Sequence, residues 1–506
     1  MYHTRETFPN INFIVFISIG LLYFVLRIYL ATASSYGFYH GWNEAYYSSI
    51  ARNYFTHSLW YHLPIIGDAP LNTVPPFYSY LLFASFNILG ISDINARIVS
   101  IFSEVIAALA VYLLAHELYN KKIAEIAALV FLFIPWNILW FGRAQTDPLM
   151  TALMTSSIAL YVYAYKREKS MLPFGILFGL AAFTKQPAFL IILIVAVWSY
   201  LAGIKKNTMI KGAIWAFIGL IPLIIWFSYH LINSDIKFLS HLVYGEFALY
   251  GPFADFLKVT LLTIVGISPF VLFFALYELG IGEKKANILL IWLIAYGAFV
   301  LYRTPPSHEY YSLPLTPVFA VLAAGGIIRI SNIAAIRRYL SSKAVFVLTA
   351  SLILTTIPVT YILLSYSGDI GYTSTRDAGI YLKEYMDKHP EETYLVLTPG
   401  RYIPQMVWYA NLTSPGYSKR QIYGISNDLS GVSIQDIRNI TSTKDATSVF
   451  LVVDGRQGFT KMLEQKYEKV YETAYVTDLP NVAGIYTGEG TGEKYFRQDL
   501  SIFKLN

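Results

Sequence analysis

The sequence is 506 residues long, with 55% hydrophobic residues and only 14% charged residues. Soluble domains average about 25% charged residues, so this composition argues against an ordinary soluble enzyme and indicates a membrane protein. The chain contains no cysteine, which excludes disulfide bonds and zinc–thiolate sites.

The net charge of +6 is unevenly distributed along the chain. Residues 368–506 contain 15 Lys and Arg residues against 17 Asp and Glu residues, a net charge of −2, so the preceding residues carry +8. Most of that excess lies in short loops between apolar stretches. This pattern is typical of the positive-inside rule for membrane proteins and not of a nucleic-acid-binding surface.

Apolar stretches of about 20 residues, the length that crosses a bilayer as a helix, recur through the first 366 residues. They predict an α-helical polytopic membrane protein with about 11–13 transmembrane helices. The first stretch is interpreted as an uncleaved helix because it is longer than a typical signal-peptide core. The predicted spans are 10–31, 95–118, 123–142, 147–165, 170–185, 187–204, 209–232, 254–279, 286–303, 311–329 and 343–366.

The basic loops between these spans predict the orientation of the chain. They all fall on one side, which must be cytoplasmic, and comprise 120–122, 165–170, 204–211, 282–285 and 336–343. The N-terminus is then cytoplasmic, and an odd number of crossings places the tail outside. The apolar segment 75–90 would break this pattern if it crossed, so we interpret it as a re-entrant or interfacial helix. The protein is predicted to be a multi-pass protein of the plasma membrane.

Two domains are predicted from the change in composition. Residues 1–366 form the membrane domain, whose outer loop 32–94 contains an amphipathic helix and the re-entrant helix. Residues 367–506 have the composition of a soluble, extracytoplasmic α/β domain. In it, "STRDAGIYLKEYMDKH" has helical periodicity, while "TYLVLT" and "SVFLVVDG" are typical of buried strands.

Ionisable residues concentrate at the predicted outer ends of the spans, where the positive-inside rule should deplete cations. Mid-span positions are nearly free of them, with Glu104 as the main exception. A cluster of cations just outside the bilayer core suits an anion such as a phosphate. The group consists of Glu44, Arg52, Arg97, Arg143, Asp147, Lys185, Arg303, His308 and Glu309.

Several of these residues also have a simpler interpretation. Arg143 and Asp147 are four apart and could form an ion pair on one helix. Lys185 could extend to the lipid interface. In "HGWNEAYYSSIARNYF", residues 40–55, helical spacing puts Glu44 and Arg52 on one face of an amphipathic helix, and Glu44 could simply face water at the membrane surface. P-loop, GxGxxG, GxSxG and HExxH motifs are absent from any convincing context.

The order of several motifs resembles the GT-C glycosyltransferases. It runs from the first span and the acidic-aromatic helix through "PPFYSYLLFASFNILGISDINARIVS", "GRAQTDPLM" and "GLAAFTKQPAFL" to "HEYYSLPLTPVFAVLAAG". Within that fold, the chain is most similar to the protein O-mannosyltransferase and lipid A aminoarabinose transferase group, over about residues 10–330. Two departures stand out. An Asp-Glu pair of the family is Asn43-Glu44 here, and a Glu-Lys pair before the double proline is Thr73-Val74.

The resemblance implies an enzyme that moves a hexose or pentose from a polyprenyl-phosphate or dolichyl-phosphate carrier to an acceptor hydroxyl on the outer face, with inversion. The acceptor would be a protein, a lipid or a glycan. Glu44 is the first choice for the base and Asp147 the second, although Asp147 could instead hold Arg143. The predicted phosphate-binding residues are Arg143, Lys185, Arg303, His308 and Arg52, and the predicted substrate-binding residues are Asn43, Tyr47, Glu309, Tyr310 and Tyr311.

Two questions stay open at the level of sequence. A divalent cation, Mg²⁺ or Mn²⁺, could be held by Glu44, Asp147 or His308, although no ligand spacing requires one. The alternative function is a transporter or flippase of lipid-linked sugars, which would also need outer cations but would place coupling charges at mid-membrane depth. An oligosaccharyltransferase is less favoured because no WWDYG-type motif occurs.

Overall fold

The protein is described from a computed structural model. It describes residues 13–32, 36, 41–61, 63, 74–233, 253–281, 287–303, 309–340, 343–369, 373–413, 418–425, 432–442, 444, 446–454, 459–478 and 495–505. The described chain folds into two compact units. Unit 1 comprises Met1–Ala33, Ser100–Tyr229 and Phe247–Leu363, and unit 2 comprises Ser34–Val99, His230–Glu246 and Leu364–Asn506.

The first half of the chain is helical. Its helices are α1 (Phe13–Thr32), α2 (Gly41–Asn53), α3 (Phe77–Leu89), α4 (Asp93–Leu118), α5 (Lys121–Phe133), α6 (Pro135–Trp140), α7 (Thr146–Lys166), α8 (Leu172–Ala182), α9 (Leu190–Leu201), α10 (Lys206–Gly219) and α11 (Ile221–Asn233). A short 3₁₀ helix, Gln186–Phe189, connects α8 and α9.

The helices continue to residue 388 and then give way to a mixed region. They are α12 (Phe253–Ile267), α13 (Pro269–Ile281), α14 (Asn287–Arg303), α15 (Thr316–Ser331), α16 (Ala334–Leu340), α17 (Ala344–Asp369) and α18 (Thr373–Lys388). A 3₁₀ helix, Glu309–Leu315, precedes α15. The remaining elements are β1 (Tyr394–Thr398), α19 (Ile403–Ala410), β2 (Arg420–Gly424), α20 (Ile434–Ser442), β3 (Ser448–Asp454), α21 (Phe459–Glu464), β4 (Glu468–Asp478) and β5 (Tyr495–Lys504).

Each of the eleven predicted spans coincides with helix in the described residues. By length and hydropathy, three of the described helices could cross a bilayer, namely Asp93–Leu118, Glu309–Ser331 and Ala344–Leu364. Two bent pairs raise that number to five: α10 with α11 at 45°, and α12 with α13 at 94°. The helical fold is therefore confirmed, and the number of crossings stays a prediction.

The tail contains a five-stranded sheet of order β2-β1-β3-β5-β4. β1 pairs in parallel with β2 and β3, and β5 pairs antiparallel with β3 and β4. Apolar side chains of β1 and β3, including Leu395, Leu397 and Leu451, form its core together with Ile437 and Phe503. The predicted α/β character of the tail is confirmed, and both predicted strands and the predicted helix occur where the sequence patterns place them.

Unit 2 joins three segments that are far apart in sequence. The tail from Leu364 onward packs into one compact body with 34–99 and 230–246. Within it, α19 and α3 both pack on α2. The side of the membrane on which this unit lies stays a prediction from the charge pattern.

Candidate active site

In unit 1 the structure brings together two sequence-predicted charges, Asp147 and Lys185. Asp147 lies in the first turn of α7, where the helix dipole favours a carboxylate, and Pro148 follows it. Lys185 is extended, with φ −162° and ψ 141°, in the break between α8 and the 3₁₀ helix Gln186–Phe189. Its ammonium donates to both carboxylate oxygens of Asp147, each at 2.9 Å. Both side chains are buried.

This pair corrects two of the simpler interpretations. Lys185 does not extend to an exposed position, because its ammonium is held inside unit 1 by Asp147. Arg143 cannot stack on Asp147 at helical i,i+4 spacing, because α7 begins only at Thr146 and Arg143 lies in the preceding turn. Arg143 is nevertheless buried close to the start of α7 in sequence, as a site residue would be.

Two tyrosine rings lie next to the Lys185 ammonium. The Nζ atom is 4.0 Å from the ring centroid of Tyr311 and 5.1 Å from that of Tyr310. Cation–π attraction at these distances favours a cation at this point. Both tyrosines, with the buried Glu309, belong to the 3₁₀ helix Glu309–Leu315. The structure thus brings four predicted site residues, Asp147, Lys185, Tyr310 and Tyr311, into one buried cluster, which we call the lysine cluster.

Hydrogen bonds with two residues of α6, Trp136 and Asn137, hold the 3₁₀ helix Glu309–Leu315 and the residue after it in place. The indole nitrogen of Trp136 donates to the Ser312 hydroxyl at 2.5 Å. The Thr316 hydroxyl donates to the Asn137 side-chain oxygen at 2.8 Å, and the Asn137 amide donates to the Phe131 carbonyl. These buried bonds hold the tyrosines against Lys185, since they leave the segment between Glu309 and Thr316 little freedom.

Glu104, the one mid-span acid noted in the sequence, belongs to the same support. Its carboxylate accepts from the Tyr23 hydroxyl at 2.7 Å and pairs with Arg27 at 2.9 Å. Arg27 also donates to the backbone carbonyls of Asn137 and Ile138, at the start of α6. The guanidinium thereby ties α1 to α6. Glu104 therefore has structural partners in Tyr23 and Arg27.

The sequence interpretation missed two polar side chains, one beside the lysine cluster and one close to it in sequence. The Tyr296 hydroxyl, on α14, is fully buried, interacts electrostatically with Asp147 and Tyr311, and has no hydrogen-bond partner in the described part of the chain. The Gln145 amide, two residues before Asp147, is also buried and without a partner among the described residues. Buried polar atoms left unpaired are costly, which suits groups that wait for a ligand.

In unit 2, Glu44 is paired with Arg97. The guanidinium donates from Nε to Oε1 at 2.7 Å and from Nη2 to Oε2 at 2.9 Å, and both side chains are fully buried. The Tyr36 ring lies 5.2 Å from the Arg97 guanidinium, and its hydroxyl shares a hydrogen bond with Ser48. The interpretation of α2 as a surface helix with Glu44 facing water is therefore wrong. Ten of its thirteen residues are buried, because α3 and α19 cover it.

The neighbours of Glu44 are also placed in unit 2. Asn43 is half-buried, and the buried Tyr47 packs its ring edge-on against Tyr46 and Tyr78. Asp93 accepts hydrogen bonds from the Trp408 indole at 2.7 Å and the Tyr409 hydroxyl at 3.0 Å. Burial, and then the Asp93 charge, raise the pKa of Tyr409, so that it remains a donor at any physiological pH.

Arg52 caps the C-terminal end of α19. Its guanidinium donates to the carbonyls of Val407 at 2.7 Å, Trp408 at 2.9 Å and Leu412 at 3.1 Å. α19 ends at Ala410, and the left-handed Asn411 that follows it donates its own N–H to the Val407 carbonyl, which the guanidinium also contacts. The geometry of Arg52 therefore accounts for this residue without a phosphate, and its predicted role at the donor stays a prediction.

The remaining predicted residues concern the loop after α14 and the metal. Arg303 is the last residue of α14, and His308 lies outside the described residues. Among the described residues no cluster of three His, Asp or Glu side chains could hold a metal ion. Both oxygens of Glu44 face Arg97, and both of Asp147 face Lys185. In this arrangement each carboxylate is already paired with a side-chain cation, and the divalent cation stays a prediction.

Comparison with known proteins bears on the fold of the whole chain. Residues 73–232, about a third of the chain, match the family described as dolichyl-phosphate-mannose-protein mannosyltransferase. This region includes Asp147 and Lys185. No curated protein is significantly similar to the chain in sequence.

Several solved structures are similar over most of the chain. ArnT from Cupriavidus metallidurans bound to undecaprenyl phosphate matches with a TM-score of 0.69 and 14% identity, covering 97% of this chain and 98% of ArnT. The archaeal oligosaccharyltransferase AglB from Archaeoglobus fulgidus, in complex with an inhibitory peptide and a dolichol-phosphate, matches with a TM-score of 0.54 and 16% identity, covering 86% and 69%. The arabinofuranosyltransferase AftD from Mycobacteria matches with a TM-score of 0.53 and 13% identity, covering 96% and 40%. The chain therefore has the GT-C fold of these glycosyltransferases, as its motifs predicted.

Proposed function

We propose that this protein is an integral-membrane glycosyltransferase that takes a sugar from a polyprenyl-phosphate or dolichyl-phosphate carrier and transfers it to an acceptor hydroxyl. The observation that supports this most is the end-to-end similarity to a structure that contains undecaprenyl phosphate. The buried lysine cluster in unit 1 supports it independently, because it supplies a fixed cation of the kind that a lipid phosphate needs.

Lys185 is the residue we assign to the carrier phosphate. An ammonium has three N–H donors, and at most two of them are used by the two oxygens of Asp147. A third donor is left for a phosphate oxygen. Asp147 and the two tyrosine rings hold the ammonium in place before the donor binds, which lowers the cost of ordering it. Three further donors are near this cluster. The Tyr296 hydroxyl is near it in the fold, and Arg143 and the Gln145 amide are near it in the sequence.

In the proposed reaction, the acceptor oxygen attacks the anomeric carbon with inversion. The new C–O bond forms as the bond between that carbon and the phosphate oxygen breaks, and the electron pair leaves with the polyprenyl phosphate. The acceptor proton passes to a carboxylate. Charge that develops on the leaving phosphate is stabilised by Lys185, which is where a preorganised cation lowers the barrier.

The base is proposed from two carboxylates. Glu44 remains the first choice on the resemblance to the family, and its carboxylate is paired with the Arg97 guanidinium. Asp147 is the second, but its position on the Lys185 ammonium supports a positioning role for it. The acceptor is proposed to be engaged on the outer face of the plasma membrane, on the side of the basic-residue-poor loops.

The test uses purified full-length protein in liposomes with labelled polyprenyl-phosphate sugars and a panel of protein, lipid and glycan acceptors. We expect release of polyprenyl phosphate that depends on an acceptor and is lost in Lys185→Gln. Lys121→Gln is the matched control, because Lys121 is exposed at the start of α5 and pairs only loosely with Glu125 at 3.8 Å. Movement of the labelled lipid across the bilayer without transfer to any acceptor would support the flippase alternative and contradict the proposal.

A further inference from the structure

A cavity in unit 1 lies between α7, α8, α9 and α10, with a volume of about 340 Å³. Tyr161, which lines it, is fourteen residues beyond Asp147 on the same helix α7. At 1.5 Å per residue the two lie about 21 Å apart along the axis. The cavity is therefore at the opposite end of α7 from the lysine cluster and takes no part in the site described above.

The lining of this cavity is almost wholly apolar. α9 contributes Ile192, Val195 and Ala196, and the facing helix α10 contributes Met209 and Ala213. Two hydroxyls also line it, but Tyr161 and Ser199 hydrogen-bond each other at 2.7 Å and are thereby satisfied. Such a lining has little to offer a polar ligand and suits a hydrocarbon chain.

The cavity is a built feature of the helix packing. A Cβ atom at Gly179 of α8 would lie 1.8 Å from the Gly219 carbonyl oxygen of α10, and one at Gly175 would lie 2.2 Å from the Trp215 carbonyl oxygen. These glycines let α8 and α10 pack backbone to backbone, as small residues do in membrane helices. Because α10 is fixed on α8, and Tyr161 is fixed by Ser199, α10 is not free to shift and fill the space beside α9.

The one charged residue that lines the cavity is Lys206, in the first turn of α10. It is exposed, as are the nearby Lys205 and Lys211. All three belong to the basic loop 204–211, which the charge pattern places on the cytoplasmic side. A lysine at the edge of an apolar cavity at this membrane surface matches an anionic headgroup attached to an acyl chain.

We propose that this cavity binds an anionic glycerophospholipid of the cytoplasmic leaflet, with one acyl chain between α9 and α10 and the phosphate on Lys206. The site is separate from the donor site and stands whether or not the protein transfers sugars.

The test measures lipid binding to the purified full-length protein by native mass spectrometry. Palmitoyl-oleoyl phosphatidylglycerol is compared with phosphatidylcholine of the same chains. Ala213→Trp fills the cavity and should weaken binding of both lipids about tenfold, the equivalent of about two excluded methylene groups. Lys206→Gln should weaken phosphatidylglycerol about fivefold and leave phosphatidylcholine unchanged.

Two matched controls separate this site from general adhesion of lipid. Ile214→Trp places the same indole ring at the adjacent position of α10, which does not line the cavity, and Lys205→Gln removes a neighbouring charge outside the lining. Ile214→Trp should bind as the parent protein does, and Lys205→Gln should lose less than Lys206→Gln. The proposal is overturned if Ile214→Trp weakens lipid binding as much as Ala213→Trp does. It is overturned as well if Lys205→Gln weakens phosphatidylglycerol binding as much as Lys206→Gln does. Selective retention of undecaprenyl phosphate over phosphatidylglycerol, abolished by Ala213→Trp, would assign the cavity to the donor lipid and overturn it as well.

Discussion

The Lys185 ammonium donates hydrogen bonds to both carboxylate oxygens of Asp147, at 2.9 Å each, although 38 residues separate the two. The pair is buried, so each charge depends on the other. Removing one partner of a buried pair leaves an uncompensated charge and costs about 3–5 kcal/mol, whereas removing both costs much less. This asymmetry makes it possible to separate stability from function at the lysine cluster.

We expect Lys185→Gln to lower the unfolding temperature strongly and to abolish donor-dependent transfer. The double variant Asp147→Asn/Lys185→Gln should recover most of the stability, because no lone charge is left, but none of the transfer. Thermal unfolding in detergent and a transfer assay on the same preparations measure the two effects. Recovery of transfer in the double variant would mean that Lys185 acts only as the structural partner of Asp147.

Tyr296→Phe should weaken binding of the carrier without lowering the stability of the protein. Its hydroxyl is buried with no hydrogen-bond partner in the described part of the chain, so losing it should leave the free energy of unfolding unchanged or slightly higher. Binding of the carrier phosphate should weaken about tenfold, the value of a hydrogen bond to a charged group. Tyr23→Phe is the matched control: it removes a satisfied hydroxyl that donates to Glu104 at 2.7 Å, and should lower stability by about 1–3 kcal/mol. Unchanged carrier binding in Tyr296→Phe would remove this residue from the proposed site.

The helices and the lysine cluster illustrate what the sequence could predict. A run of about 20 apolar residues has few alternatives to a helix, so all eleven intervals hold helix. Lys185 and Asp147 could be grouped because charge asymmetry placed them at one depth, whereas Tyr310 and Tyr311 were predicted as substrate-binding residues with the family resemblance. Tyr296 could not be found this way, since a tyrosine within an apolar run is indistinguishable from ordinary packing. The sequence signal that could have found Tyr296 is its spacing. It lies seven residues, or two helical turns, before the predicted site residue Arg303 and so on the same helix face.

Contacts between segments that are far apart in the chain could not be predicted from the sequence. Glu44 and Arg97 were both predicted on the outer side, but their pairing across 53 residues depends on how α2 packs against the start of α4. The prediction of a surface helix for α2 failed for the same reason. Its period suited an amphipathic helix, and only tertiary packing by α3 and α19 buries the polar face as well.

The role of Glu44 can be tested against a purely structural one. We expect Glu44→Gln to abolish turnover, but it also leaves the Arg97 charge buried without a counter-charge, which is destabilising. The double variant Glu44→Gln/Arg97→Met should regain stability. If turnover stays absent in a stable double variant while Asp147→Asn retains some, Glu44 is supported as the base. Turnover that returns with stability would show that the pair serves only to hold α2.

Arg52 allows a direct test between its predicted role at the carrier phosphate and its structural role at the end of α19. Its guanidinium donates to three carbonyls at the end of α19, and a lysine cannot reproduce that fork. We expect Arg52→Lys to lower the stability of the protein by about 1.5–3 kcal/mol, as for a lost hydrogen bond to a charged group, and to leave the KM for the donor lipid unchanged. Arg376→Lys is the control, since Arg376 is half-buried and pairs with its neighbour Asp377, so little stability should be lost. A rise in the donor KM for Arg52→Lys at unchanged stability would instead support the predicted role of Arg52 at the carrier phosphate, because a higher KM at unchanged kcat reports weaker binding.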